Sequence, residues 1–374
     1  MKIIAYYLPQ FHEIEENNQW WGTGYTEWTS LKKAKKLYRC HNQPRVPLNE
    51  NYYNLTDVRT LEWQCRLARN YGIYGWCIYH YWFKGKLLLQ KPLELLLKNP
   101  HININYCISW ANEDWTNGWI SNNPDVLQKQ TYGSKEDWKN HFFYLLPFFQ
   151  DKRYIKKDGK PLLVIYHPEK IEHLSEMLTY WKQLALEYIQ TDLCIVSQHP
   201  NALDDITCVN SQYINYQIEY QPDIASKYVA PWYYFSFRKI YNFLDDIFKT
   251  IYFSEVKFLR PLIKKDYVKT WEYIIHMEPE NTKRIPGAFV DWDNTPRKGR
   301  RGSVYIGVTP EIFQKYLIKQ IIHARTSYKQ EYLFLFAWNE WSEGGYLEPD
   351  TKEKFGYLNA VKQALKETNE WEYN

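Results

Sequence analysis

A (β/α)8 barrel is the fold this sequence predicts, and three observations predict it. Short β-rich apolar runs recur eight times along the 374 residues. Helical patterns fill most of the gaps between them, and strands alternating with helices imply parallel pairing. Polar or aromatic residues follow nearly every run, as barrel enzymes place their working groups at the C-terminal ends of strands. The rival architecture is an open doubly wound sheet. Against it, no GxGxxG follows the first run and no GxxxxGK[ST] occurs anywhere. No break in composition marks a second domain, so residues 1–374 are expected to form one barrel domain.

The expected strands are Ile3 to Leu8, Ile73 to Tyr79, Ile104 to Trp110, Pro161 to Tyr166, Leu193 to Gln198, the weaker Gln212 to Tyr216, Ala288 to Trp292 and Tyr332 to Ala337. Helices are expected over Thr56 to Asn70, Lys86 to Lys98, Ser134 to Phe149, Glu172 to Ile189, Phe235 to Phe253, Pro310 to Thr326 and Glu353 to Glu367. Ser134 stands three residues before Asp137 in a capping-type start, and Thr309 precedes Pro310 as an N-cap. The stretch Pro9 to Leu55 is too long for an ordinary loop and is expected to fold over the barrel mouth.

Aromatic residues make up 18% of the chain, with 34 Tyr and 17 Trp. Packing absorbs most of them, and the excess favours a surface for ring-shaped ligands. The net charge of +4 is too small and dispersed to argue for nucleic acid. Six cysteines show no CxxC and no regular spacing, and Cys77, Cys107 and Cys194 sit inside apolar runs, so reduced buried thiols are expected. The sequence enters a strand from Met1 with no signal peptide and holds no run of about 18 apolar residues. The expectation is a cytoplasmic enzyme with no membrane span.

The most informative segment follows the eighth run: Trp338-Asn339-Glu340-Trp341-Ser342-Glu343-Gly344-Gly345-Tyr346-Leu347-Glu348-Pro349. Glycosidic-bond chemistry needs one group to handle the proton of the leaving oxygen and another to assist at the ring. Glu340 and Glu343, three residues apart among Trp338, Asn339 and Trp341, supply such a pair. Burial beside aromatics and mutual repulsion would raise the pKa of one and so separate acid from base. Other strand ends add His12, His80 with Trp82, Trp110 with Asn112 and Glu113, and Asp291 with Asp293. Glu27 and Trp28 would arrive from the long first loop.

Together these motifs resemble the WbsX-type family, described as glycosyltransferases of bacterial surface-polysaccharide (O-antigen) biosynthesis and similar to the family 99 glycoside hydrolases, the endo-α-mannosidase group. The resemblance rests on Ala5 to His12, Trp20-Trp21-Gly22 with Thr26 to Thr29, His80 to Phe83, Trp110 to Thr116, Asp293 to Arg297 and Trp338 to Pro349. It implies a (β/α)8 barrel and retention of anomeric configuration, with the sugar's own 2-hydroxyl as internal nucleophile. Glu340 would then serve as base to that hydroxyl, and Glu343 as acid/base at the departing oxygen.

Asp291-Trp292-Asp293 also reads as a D-x-D string, which in transferases of another fold holds a metal and a diphosphate; hydroxyl binding is the preferred reading here, with no metal. Arg297, Lys298, Arg300 and Arg301, broken by glycines, could clamp a phosphate or an acidic sugar. No HExxH and no GxSxG occurs, and no cofactor is expected. The expected partner is an oligosaccharide or polysaccharide, with a nucleotide sugar or lipid-linked glycan as donor or acceptor. A retaining endo-glycosidase or transglycosylase is the second reading. A non-catalytic glycan-binding barrel is the third.

Overall fold

The computed structural model describes residues 1–118, 125–198, 212–219 and 262–371. The helix expected over Phe235 to Phe253 lies outside the described residues, as do His199 and Cys208. The sheet is a nearly closed parallel ring. Its strands are β1 (Lys2–Tyr7), β2 (Ile73–Phe83), β3 (Asn105–Trp110), β4 (Lys160–Ile165), β5 (Cys194–Ser197), β6 (Tyr216–Ile218), β7 (Arg284–Ile285), β8 (Gly287–Phe289) and β9 (Tyr332–Phe336). Each pairs in parallel with its neighbour in sequence from β1 to β7, and β9 pairs with both β8 and β1. Pro286 alone separates β7 from β8. It has no N–H to give the ladder, so one stave is split, its first half bonded to β6 and its second to β9. The ring therefore has eight staves, as a (β/α)8 barrel requires.

Alternation along the staves sorts side chains into two sets. Tyr6, Cys77 and Tyr79 turn inward, where the Tyr6 and Tyr79 rings stack at 5.7 Å. Tyr7 and Trp76 turn outward; the Tyr7 hydroxyl donates to Gln64 at 2.7 Å on helix α3. The outer layer includes α3 (Val58–Asn70), α4 (Lys91–Lys98), α5 (Lys135–Gln150), α6 (Leu174–Ile189), α7 (Tyr267–Ile274), α9 (Pro310–Thr326) and α10 (Gly356–Glu367). Thr309 caps α9 as expected, accepting the Ile312 N–H. Ser134 occupies the N-cap position of α5, but its side chain makes no capping bond. Cys65, Cys77, Cys107 and Cys194 are buried free thiols, and Cys40 is free and exposed.

Three expectations shift, one of them the seventh run, whose strands are Arg284–Ile285 and Gly287–Phe289 rather than Ala288 to Trp292. Lys86 to Lys98 is not one helix: Lys86–Leu88 forms a strand against the end of β2, with Trp82 opposite Leu87. β2 runs four residues further than expected, and Lys84 and Gly85 both have positive φ, 46° and 86°, as a tight hairpin turn demands. The leucine run is compatible with either period, and the turn decides it. The sixth strand begins four residues and ends two residues later than expected, at Tyr216–Ile218.

The long first loop covers the mouth as predicted. It contains α1 (Glu15–Trp21) and α2 (Glu27–Lys33), and the Leu55 N–H bonds the Phe11 carbonyl at 3.0 Å to close its base. A remaining short helix, α8 (Thr295–Lys298), follows β8.

Candidate active site

Glu340 and Glu343 are not on an α-helix. Asn339–Glu340 pairs antiparallel with Gly345–Tyr346, and a single 3-10 turn, Trp341–Glu343, joins them. In a 3-10 turn residues i and i+3 eclipse, so the three-residue spacing puts both carboxylates on one side. Gly344 closes the turn at φ 75°, and an added Cβ there would lie 2.8 Å from the Asp293 nitrogen. Only glycine fits both conditions.

Both carboxylates line a cleft of about 490 Å³ at the barrel mouth. One guanidinium joins them. Arg297, on α8, bonds Glu343 at 3.0 Å, Glu340 at 3.1 Å and Glu27 at 2.9 Å. Glu27 is the first residue of α2, so the long loop delivers a third carboxylate to the same cation. Its backbone carbonyl accepts the Ser342 hydroxyl at 3.3 Å. Burial raises the Glu340 pKa well above the ordinary carboxylate range; Arg297 opposes the shift, and Glu343 and Glu27 add to it. The same three acids hold Arg297 charged in spite of its burial.

The expected site residues divide into two groups. Glu340, Glu343, Glu27, Glu113 and Arg297 line the cleft. Glu113 is about half-exposed and stands 3.6 Å from His167. The remaining candidates are absent from the cleft lining, most of them because their side chains are committed elsewhere. His80 and Trp82 point outward from β2: His80 meets His141 on α5 at 2.9 Å, and Trp82 stacks on the same imidazole at 4.5 Å. Burial lowers the His80 pKa to about 3, so it stays neutral. Trp110 packs edge-on to His141 at 4.7 Å. Asn112 ties strand ends together, donating to the His167 carbonyl at 2.7 Å and accepting its N–H at 2.8 Å. His12 is buried, and burial lowers its pKa to about 4.

Trp28 lies under the site, its indole N–H on the Tyr53 carbonyl at 2.8 Å. Asn339 bonds both the N–H and the carbonyl of Leu8, locking β9 to β1. Trp338 packs against Trp76 at 5.9 Å. Trp341 stacks on Tyr346 at 3.8 Å and donates to Glu348.

Asp291 and Asp293 are buttresses. Asp291 accepts from Arg45 at 2.7 Å; Asp293 accepts from Gln43 and His41, each at 2.8 Å, and from Thr295. The His41 Nδ1 accepts the Leu37 N–H, so its proton sits on Nε2 and is donated to Asp293. These bonds outweigh burial and bring the Asp293 pKa down to about 2. Its backbone N–H bonds the Glu343 carbonyl at 2.6 Å. The D-x-D string thus fixes the turn that carries the acid pair, with its oxygens occupied by protein donors.

Several cleft residues were not among the expected site residues, although Tyr81, Trp115 and Trp292 lie in strand-end stretches expected to converge on the pocket: Trp20, Trp21, Tyr25, Tyr79, Tyr81, Trp115 and Trp292. Strand parity could have found two of them. His80 and Trp82 have the wrong parity for the interior, and Tyr79 and Tyr81 the right one; Tyr81 takes the Gln10 amide at 2.9 Å. Glu348 was also unmarked. It is buried, accepts from Tyr53, Gln64 and Trp341, each at 2.7 Å, and burial raises its pKa to about 7. Glu348→Leu would strand three buried donors, at about 1–3 kcal/mol for each such group. The expected outcome is a large drop in melting temperature, measured by calorimetry at neutral pH.

The profile of the family described as Glycosyltransferase WbsX matches residues 3–361. Two curated relatives, both named "Uncharacterized protein WxcX" and from two strains of Xanthomonas campestris pv. campestris, are 29% and 28% identical over 378 residues. The matches cover 97% of this chain and 49% of each relative, so the chain spans about half the length of the curated relatives it matches. Among solved structures, the GH99 endo-alpha-mannosidase from Bacteroides thetaiotaomicron superposes with a TM-score of 0.56 at 12% identity, covering 98% of this chain and 97% of that one. A protein described as glycoside hydrolase-like gives 0.58 at 12% identity over 97% and 93%. At this identity the likeness is one of fold.

Proposed function

The chain belongs to the WbsX glycosyltransferase family, and from that membership we propose that it is a single-domain (β/α)8 enzyme acting at glycosidic bonds of a bacterial surface polysaccharide. Glu340 and Glu343 are its reacting pair. The observation that carries this reading is the cluster of Glu27, Glu340 and Glu343 around Arg297 in a cleft walled by Trp20, Trp21, Tyr79, Tyr81, Trp115 and Trp292. Aromatic faces suit the C–H surfaces of sugar rings, and the carboxylates supply both proton handling and charge stabilisation.

Mutual repulsion among the carboxylates gathered on Arg297 favours one retained proton, although the cation itself opposes it. Burial favours that proton on Glu340. The roles implied by the family resemblance, Glu340 as base to the 2-hydroxyl and Glu343 as acid at the leaving oxygen, require that proton to pass from Glu340 to Glu343 as substrate binds. Arg297, at 3.1 Å, supplies the positive charge that makes the ionisation of Glu340 feasible. Glu113, also in the cleft lining, would accept from sugar hydroxyls.

Nucleotide-sugar transfer in the cytoplasm and retaining hydrolysis or transglycosylation both fit this chemistry. One observation favours the second. The cleft is lined by five acids, Glu27, Glu113, Asp114, Glu340 and Glu343, against the cations Arg297 and Lys298. Such a lining attracts neutral glycans more readily than a diphosphate. Calorimetric titration with nucleotide sugars, set beside release of reducing ends from neutral bacterial oligosaccharides, separates the two. The expected result is reducing-end release without measurable nucleotide-sugar affinity. Tight nucleotide-sugar binding with no release would return the chain to the transferase reading.

A further inference from the structure

The cleft is acidic, but one side of its rim is strongly basic. Leu31 to Cys40 carries Lys32, Lys33, Lys35, Lys36 and Arg39 with no acid, in a chain whose net charge is only +4. All five side chains are exposed. The segment continues α2, which begins at Glu27 inside the cleft; six residues of helix at about 1.5 Å each place Lys33 roughly 9 Å away along the axis. A second basic loop lies against it, as Arg300 donates to the Leu37 carbonyl at 3.5 Å and Lys298 lines the cleft. Lys264 sits 4.1 Å over the Tyr38 ring. Three separate parts of the chain therefore gather cations beside the mouth.

These charges are not consumed internally. Among the described residues, Lys33, Lys35, Lys36 and Arg39 make no salt bridge, and Lys32 lies over the Tyr52 ring at 3.9 Å. None of the five lines the cleft. Exposed, flexible ammonium groups spread along a rim do not enclose a single phosphate. They suit a diffuse negative surface, where each contributes a similar increment. Leu37, partly exposed among them, adds an apolar contact that favours a bilayer interface over a free polyanion, while the Tyr38 ring beside it is held between His41 and Lys264.

We propose that this rim docks the barrel, mouth first, on an anionic lipid bilayer. The attachment is peripheral and independent of the chemistry in the cleft. It would set the opening against glycans held at a membrane.

The test is co-sedimentation of the full chain with phosphatidylcholine vesicles, with and without about one third phosphatidylglycerol. The expected result is binding to the anionic vesicles only, lost between about 0.05 M and 0.5 M salt. The quadruple variant Lys33→Glu/Lys35→Glu/Lys36→Glu/Arg39→Glu should weaken that binding by at least about tenfold, with an unchanged far-ultraviolet spectrum and melting temperature. If the reversal perturbs folding, the milder pair Lys33→Ala/Lys36→Ala should still weaken binding measurably. Equal binding to both vesicle types, or full binding by the variants, overturns the proposal. So does capture by soluble dextran sulfate without capture by vesicles, which would assign the rim to an anionic polysaccharide.

Discussion

Arg297→Met should destabilise the fold by about 3–5 kcal/mol at neutral pH, the cost of removing one partner from a buried ion cluster. The size follows from the geometry: three carboxylates converge on this guanidinium, and without it they face one another across a cleft wall. The sign of the pH dependence follows as well. A carboxylate whose folded pKa is raised above its unfolded value favours the native state when protonated. That contribution is complete below the unfolded pKa and is lost as pH rises through the folded one. Glu340 already behaves this way with Arg297 present, and removal of the cation takes away the largest influence opposing its shift. Urea denaturation at about pH 5 and pH 8 should therefore show a deficit that is smaller in acid and larger in base. Arg297→Lys should fall between, since an ammonium restores the charge but not the forked geometry that reaches several acids at once. A variant as stable as the parent at both pH values would remove the cluster from its central place in the site.

The second large effect is catalytic. Glu343→Gln and Glu340→Gln should each lower turnover by about 10²- to 10⁴-fold, the usual span for a general acid or base. Glutamine keeps the shape and one acceptor for Arg297, so unfolding midpoints should hold or rise, and a loss confined to kcat would identify proton handling. The two variants should differ in their pH–rate profiles. If burial favours the resting proton on Glu340, its replacement should erase the limb set by the raised pKa, and replacement of Glu343 should leave that limb in place. Unchanged turnover in either variant would take that residue out of the reaction.

Much of the architecture was legible before any coordinates. β1, β3, β4 and β9 begin and end within a residue or so of their expected bounds, because continuous apolar runs flanked by Gly, Pro or polar residues admit few other readings. The reach of the first loop over the mouth followed from its length alone. The Glu340/Glu343 pair was legible because its spacing fits one short turn, Glu113 because it follows a strand end, and Glu27 because it lies in the long first loop. His80, Trp82 and Trp110 failed for a definite reason. They close strands, as site residues do, but alternation turns them toward α5 and α6, where burial holds His80 neutral and sets His141 between the two tryptophans.

The sequence by itself determined an eight-stave parallel barrel and an acid pair at the last strand end, since hydrophobic period and residue spacing are local quantities. Tertiary structure decided which side chains share a partner. That one arginine binds acids from α2 and from the turn after β9, that Asp291 and Asp293 brace that turn from behind, and that cations distant in sequence meet on one rim are long-range facts. They depend on where the ring closes and how the first loop folds back across it, and no local pattern encodes either.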